Sequence, residues 1–226
     1  MVEKIRSKRK IKTRFGGPKF EIEKLKSLPN ESVMQAYAMN YLEPLGQGSS
    51  RIAFVLSSKK VLKIARNEKG ISQNKAEIEV YTDPATADTA AKIYDFDDQG
   101  RWITSDLVKP LTDPSEFMKL TGVSWEEFVQ DLASSVSKFA REKGMTLNKR
   151  AHEFTQKAYN MAEKGKSKLK LGDLTVLDHW GKTPNGRVVI LDYGFTEDVE
   201  AKHYSKNRQP NSVKNFASTA DAPTAR

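Results

Sequence analysis

The residues with the clearest chemical meaning lie between Val188 and Phe195, where Val188, Val189, Ile190 and Leu191 run straight into Asp192, Tyr193 and Gly194. Four apolar residues in a row read as a buried strand. A carboxylate delivered by such a strand to a glycine turn is placed to meet a metal-bound phosphate. That charge is costly to bury unless it is paired or metal-bound; the competing reading is a turn aspartate that caps its own loop. Gly172-Asp173-Leu174, which begins sixteen residues before Val188, carries a second acidic group. Far upstream, the run L-G-Q-G-S-S-R-I-A-F-V from Leu45 to Val55 holds Gly46 and Gly48. Glycines there allow positive φ and let backbone N–H groups approach phosphate oxygens without side-chain obstruction, although the same pattern also makes an ordinary hairpin turn. Lys63 follows in an apolar strand of Val61, Leu62, Ile64 and Ala65. A lysine there either points outward to solvent or turns inward to bind phosphate.

Glycine loop, strand lysine, Asp173 and Asp192 occur in the order of the protein-kinase signature set. From Leu45 to about Glu197, roughly two-thirds of its length, the chain resembles a small, divergent member of the protein-kinase-like superfamily, of the compact kind found in bacteria and phages. The run K-G-I-S-Q-N-K-A-E from Lys69 to Glu77 and the pair Trp180-Gly181 share that look. The resemblance implies ATP and Mg²⁺ as cofactors. It gives Gly46 and Gly48 the phosphates to cover, and Lys63 the α- and β-phosphate oxygens, oriented by a helix carboxylate. Glu77 is the chosen partner and Glu79 the alternative; two apart on a helix, they face different ways. The resemblance also sets backbone groups near Asp106, Leu107 and Val108 against the adenine edge, makes Asp173 the base for the substrate hydroxyl, and makes Asp192 a metal ligand. For the second metal ligand, counting five residues from Asp173 gives Asp178, while aligning on Trp180-Gly181 gives His179. Aspartate is the better oxygen ligand for Mg²⁺, so Asp178 is expected.

The chain departs from the pattern in several places. Arg51 stands where a third glycine is usual. Lys170-Leu171-Gly172 precede Asp173 in place of His-Arg, so no activation through a phosphorylated loop is expected. Tyr193 replaces phenylalanine and brings a hydroxyl that needs a partner. Beyond Phe195 about thirty residues remain, without an Ala-Pro-Glu segment, so the peptide-docking region of larger kinases is expected to be missing or replaced.

These residues need elements to hold them. The expected fold is α+β and two-lobed, with a small antiparallel β-rich N-lobe and a shortened helical C-lobe. The expected divisions are a flexible basic arm over 1–17, the N-lobe over 18–108, the C-lobe with its catalytic hairpin over 109–203, and a disordered polar tail over 204–226. Ser32 to Leu42 reads as a short helix capped by Ser32, with Val33, Ala36, Tyr37 and Tyr41 on one face. Residues 45–65 read as two strands joined at Ser57-Ser58-Lys59-Lys60. A helix is expected from about Ser72, then strands over Ala91 to Phe96 and Trp102 to Val108 around an Asp97-Asp98-Gln99-Gly100 turn. Ser124 and Glu127 form a capping box for one long helix that places Trp125, Phe128, Val129, Leu132, Val136, Phe139 and Ala140 on a single face and ends at Gly144. A second helix is expected from about Leu147 to Glu163, and a hairpin at Pro184-Asn185-Gly186.

The 226 residues carry a formal net charge of +9, but ten Lys/Arg and only three Asp/Glu fall in residues 1–30. Basicity therefore belongs to the N-terminal arm, where residues 4–14 suit nucleic acid, an acidic partner or plain solvation. Having no cysteine excludes disulfides and thiolate chemistry, and fits a reducing cytoplasm. No apolar run reaches membrane-spanning length, and no signal-peptide core is visible, so a cytoplasmic protein without a membrane partner is expected. The three histidines are too scattered for a metal cluster. The leading expectation is an ATP- and Mg²⁺-dependent phosphotransferase acting on a protein or small-molecule hydroxyl. A pseudokinase that binds nucleotide or docks partners is the alternative, and binding through the basic arm is a third.

Overall fold

The computed structural model describes residues 19–149 and 151–204; the basic arm over 1–17 and nearly all of the polar tail lie outside these residues. The chain opens with two helices, α1 (Ile22–Lys26) and α2 (Glu31–Tyr41). Asn30, not Ser32, caps α2, accepting a hydrogen bond from the Val33 N–H at 3.1 Å. The buried face of α2 is Met34, Tyr37 and Ala38, while Val33 and Tyr41 are exposed.

Three strands follow where two were expected: β1 (Glu43–Gln47), β2 (Arg51–Ser57) and β3 (Lys60–Ala65). Then come α3 (Glu68–Thr82), β4 (Ile93–Phe96) and β5 (Trp102–Asp106). The five strands form one antiparallel sheet in the order β1-β2-β3-β5-β4. Its two faces do different work. Ile52, Phe54, Leu62, Ile64 and Trp102 pack on Leu25, Met34, Tyr37 and Ala38 of the leading helices. Alternation along each strand sends Arg51, Ala53 and Lys63 to the opposite face, with Ala53 paired to Lys63 and Arg51 to Ala65.

Helix α3 starts four residues before the expected position because Asn67 caps it, accepting from the Lys69 and Gly70 N–H groups at 3.1 and 3.2 Å. Its first turn lies hard against the loop between β1 and β2. A Cβ on Gly70 would sit 2.1 Å from the Ser50 carbonyl oxygen, so glycine is obligatory there. Ser50 Oγ reinforces the contact with a 2.6 Å hydrogen bond to Gln73 Oε1.

The second lobe contains β6 (Lys109–Pro110), α4 (Pro114–Thr121), α5 (Trp125–Val136), α6 (Lys138–Glu142), α7 (Glu153–Glu163), α8 (Leu171–Leu174), β7 (Trp180–Lys182), β8 (Val188–Ile190) and α9 (Glu197–His203). The single long helix expected here is broken at Ser137, whose extended backbone ends α5 and whose Oγ accepts from the Ala140 N–H at 3.2 Å to start α6. Phe139 consequently leaves the buried face and is exposed. Helix α7 begins only at Glu153, six residues later than expected, with His152 Nδ1 accepting from the Phe154 N–H. Strands β6, β7 and β8 form a small antiparallel sheet whose hairpin turns at Gly186, φ +85°. Phe117, Phe128, Leu132, Met161, Trp180 and Ile190 fill the core of this lobe. Among the described residues no helix is long and apolar enough to cross a membrane.

Candidate active site

Four charged side chains from three distant parts of the chain meet between the lobes. Lys63 on β3 places Nζ 2.9 and 2.8 Å from the two carboxylate oxygens of Glu77 and 3.0 Å from the Leu191 carbonyl. Glu77 comes from the middle of α3 and is wholly buried. Glu79 faces elsewhere and accepts a hydrogen bond from Ser167 Oγ in the second lobe. The spacing of two residues on a helix thus separates the carboxylates, as expected, and Glu77 is the one beside the lysine.

Arg51, which stands where a third loop glycine is usual, is the fourth member. Its Nη1 donates to Glu77 Oε1 at 2.5 Å and Asn74 Oδ1 at 3.3 Å, and its Nη2 donates to Asp192 Oδ1 at 2.5 Å. The signal for this placement was available in the alternation of Ile52, Phe54 and Leu56. If those residues face the leading helices, Arg51 must share the Lys63 face. Coulombic attraction to Glu77 and Asp192 overrides burial and holds the guanidinium fully protonated.

Asp192 follows β8 directly, and the turn after it is set by packing. A Cβ on Gly194 would lie 2.7 Å from the Gln73 carbonyl oxygen, so the glycine lets the turn close against α3. The Tyr193 hydroxyl finds its partner in the Ala91 carbonyl at 2.6 Å, and burial pushes its pKa well up. The Asp192 carboxylate lies among many protein atoms yet keeps one side open, with 60% of its side chain exposed. Its burial would raise the pKa, but the Arg51 and Lys63 charges and the Arg51 hydrogen bond reverse this and hold it well below the usual carboxylate range.

Asp173 sits in the short α8, preceded by Lys170, whose carbonyl accepts from the Asp173 N–H. Its carboxylate is largely buried, and burial, with the nearby Asp192 charge adding to it, raises its pKa to about 6 against the opposing pull of His179. His179 Nδ1 lies 3.1 Å from the Asp173 carbonyl oxygen and 3.7 Å from its carboxylate. Asp178, one residue earlier on the same 3-10 turn, is exposed to solvent.

The remaining expected residues are placed as follows. Gly46 and Gly48 are exposed, neither has a positive φ, and a Cβ on Gly46 would meet nothing within 4 Å. Neither conformation nor packing therefore requires Gly46. At the expected adenine edge, the Asp106 N–H donates to the Lys92 carbonyl and the Leu107 N–H to the Lys59 carbonyl, both at 2.9 Å, while the Val108 side chain is buried. Two of the three backbone donors are thus already engaged within the fold. A cavity of about 240 Å³ lies beside Asp106, Lys92 and Arg187, and one of about 170 Å³ lies beside Glu79 and Asp198.

These residues do not assemble a Mg²⁺ site. Hard divalent cations want several oxygen ligands at once. Here Asp192 holds a guanidinium, Asp178 points to solvent, and the charges that act most on Asp192 are Arg51, Lys63 and His179. Among the described residues no three His, Asp or Glu side chains gather as a metal-binding group.

No protein-family model matches this chain, and no curated protein matches it. Among solved structures it is similar to the GDP and kanamycin complex of APH(2″)-IIia, at 15% identity and a TM-score of 0.37, over 69% of this chain and 67% of that one. It is also similar to the streptomycin-ATP ternary complex of APH(2″)-IIa, at 15% identity and a TM-score of 0.37, over 74% and 71%. Choline kinase LicA from Streptococcus pneumoniae gives 15% identity and a TM-score of 0.36, over 74% and 69%. Likeness at this distance carries no inference about chemistry, which rests on the chain's own geometry. With a five-stranded antiparallel sheet in one lobe, a helical second lobe, and a strand lysine on a helix glutamate between them, the chain has the expected two-lobed α+β fold.

Proposed function

We propose that this chain is a kinase-like phosphotransferase that binds ATP between the β1–β2 loop and Asp192 and passes the terminal phosphoryl group to a hydroxyl on a protein or small molecule. The observation that carries this reading is the meeting of Lys63, Glu77 and Asp192 from β3, α3 and the turn after β8. A scaffold has no use for two cations and two carboxylates in one cleft, because an apolar cluster of similar volume would be at least as stable.

Asp173 supplies the base. With a pKa near 6 it is mostly ionised at neutral pH yet still basic enough to accept a hydroxyl proton. The acceptor oxygen forms its bond to the γ-phosphorus, its proton passes to Asp173, and the bond between the γ-phosphorus and the β,γ-bridging oxygen breaks to release ADP. The second reading is a protein that binds nucleotide without transferring phosphate, and the Arg51 contact to Asp192 favours it, since that carboxylate is already engaged.

The two readings separate in one pair of measurements. ATP at a hundredfold excess over its dissociation constant adds about 2.7 kcal/mol of stability, which for a chain of this size raises Tm by about 5 to 10 °C. That rise, with slow release of ADP that Asp173→Asn abolishes while ATP still raises Tm, is the expected result. A Tm rise without ADP release, even over long incubation, selects the binding reading. No rise with ATP removes both.

A further inference from the structure

Lys63 is expected by position to hold the phosphates, but its hydrogen-bonding capacity is spent. An ammonium has three donors, and the two Glu77 oxygens and the Leu191 carbonyl take all three. Arg51 is differently placed. Of its five N–H donors, Glu77, Asn74 and Asp192 take three, and the other two have no partner among the described residues. Its side chain is only 10% exposed, so those donors sit in a largely dry site where a charge-assisted bond is strong.

The position is as telling as the donor count. Arg51 opens β2 directly after the β1–β2 loop, and its carbonyl accepts from the Gly48 N–H at 2.9 Å to close that loop. The Arg51 backbone therefore closes the loop, while its guanidinium reaches Glu77 and Asn74 of α3 on one side and Asp192 on the other. Between an acidic residue and incoming phosphate oxygens, a cation must neutralise both. A guanidinium can do so permanently, because it does not deprotonate in proteins, and its planar fork matches a phosphate edge. The cluster is also self-balanced, with Arg51 and Lys63 facing Glu77 and Asp192, so it needs no further cation to be stable.

We propose that Arg51 is the phosphate-binding cation of this cleft and stands in for the divalent metal, bridging Asp192 to the nucleotide phosphates so that ATP binds without Mg²⁺. The inference rests on the nucleotide reading given above and assigns the contact within it. Lys63 then acts as a positioning residue that holds Glu77, and Asp192 serves as the anchor of the guanidinium.

The experiment is ATP binding to the full chain by calorimetry, in excess EDTA and in excess MgCl₂, with Tm as a second readout. Wild type is expected to bind in EDTA with an affinity within about threefold of that in MgCl₂. Arg51→Gly, which restores the third loop glycine, should lose about 10- to 100-fold of its affinity in EDTA, the size of one or two charge-assisted hydrogen bonds. MgCl₂ should restore part of it, because Asp192 is freed. Arg51→Lys keeps the charge but loses the fork, and should fall between the two. ATP binding by wild type only in MgCl₂, or undiminished EDTA binding by Arg51→Gly, overturns the inference and leaves the nucleotide reading standing. Absence of ATP binding by wild type in both buffers overturns the two together. If Arg51→Gly does not fold, wild type and Arg51→Lys in the two buffers still decide.

Discussion

Glu77→Gln is the most informative single substitution, because it removes one charge from a balanced, buried cluster while keeping the side-chain volume. Glu77 has no exposed surface and accepts from Lys63 and Arg51 together, whose side chains are 13% and 10% exposed. With glutamine there, two cations share Asp192 alone. Breaking a buried pair by removing one partner typically costs about 3–5 kcal/mol, since the charge left behind is uncompensated. For a chain of 226 residues that corresponds to a fall in Tm of about 6–20 °C. Trp102 lies in the N-lobe core and Trp180 in the C-lobe core, so intrinsic fluorescence and far-UV circular dichroism in urea report on both lobes. The double variant Glu77→Gln/Arg51→Gln removes one charge of each sign and should be less destabilised than the sum of its single variants by about 1–3 kcal/mol. Glu79→Gln, where the carboxylate accepts from Ser167 and pairs with no cation among the described residues, is the control and should cost under about 1 kcal/mol. Equal losses at 77 and 79, or strict additivity at 77 and 51, would refute the buried-cluster account.

Gly70 in α3 and Gly46 near the end of β1 should behave in opposite ways. Gly70→Ala forces a methyl group against the Ser50 carbonyl and should cost about 1–3 kcal/mol in urea denaturation. Gly46→Ala meets open space and should leave stability within about 0.5 kcal/mol, while weakening ATP binding by calorimetry if the loop covers the phosphates. Asp173 has a raised pKa of about 6, so its ionisation works against the fold. The stability present below its ordinary pKa near 3.8 is lost as pH rises through about 6. Asp173→Asn should therefore stabilise the protein at pH 7.5 by about 1–2 kcal/mol, allowing for partial solvent screening, with little gain at pH 4. A gain of the same size at both pH values would show that the carboxylate is not the cause.

Much of the scaffold was legible because it is written in short-range patterns. The apolar run ending at Asp192, the lysine strand and the Gly186 hairpin all stand where periodicity and turn chemistry put them. The errors fall where one polar residue decides a boundary. Asn30 and Asn67 capped their helices ahead of the serines that the hydrophobic pattern favoured, and Ser137 divided a helix whose apolar face continued across it. The site was legible in its residue types and not in its orientations. Spacing shows that Glu77 and Glu79 face apart, but only the packing of α3 under the sheet shows which one meets Lys63. In the same way, Asp178 and His179 are neighbours on a 3-10 turn, where one residue of rotation exchanges solvent for the cleft, and His179 is the one beside Asp173.

Arg51 shows why a departure from a motif can say more than a match. The backbone at this position lies in register with Ala65 as ordinary β-strand, so nothing in its conformation calls for glycine. An arginine can therefore occupy it without distorting the loop. What changes is the side chain, which enters the cleft on the Lys63 face and bonds two carboxylates that would otherwise require another cation. A surface arginine at a degraded motif would be free to drift. One held at 10% exposure by Glu77, Asn74 and Asp192 costs desolvation that only specific pairing offsets. The missing glycine and the missing metal ligands are then one change rather than two. Once a fixed guanidinium neutralises Asp192, neither Asp178 nor His179 needs to complete a metal site, which accords with Asp178 facing solvent.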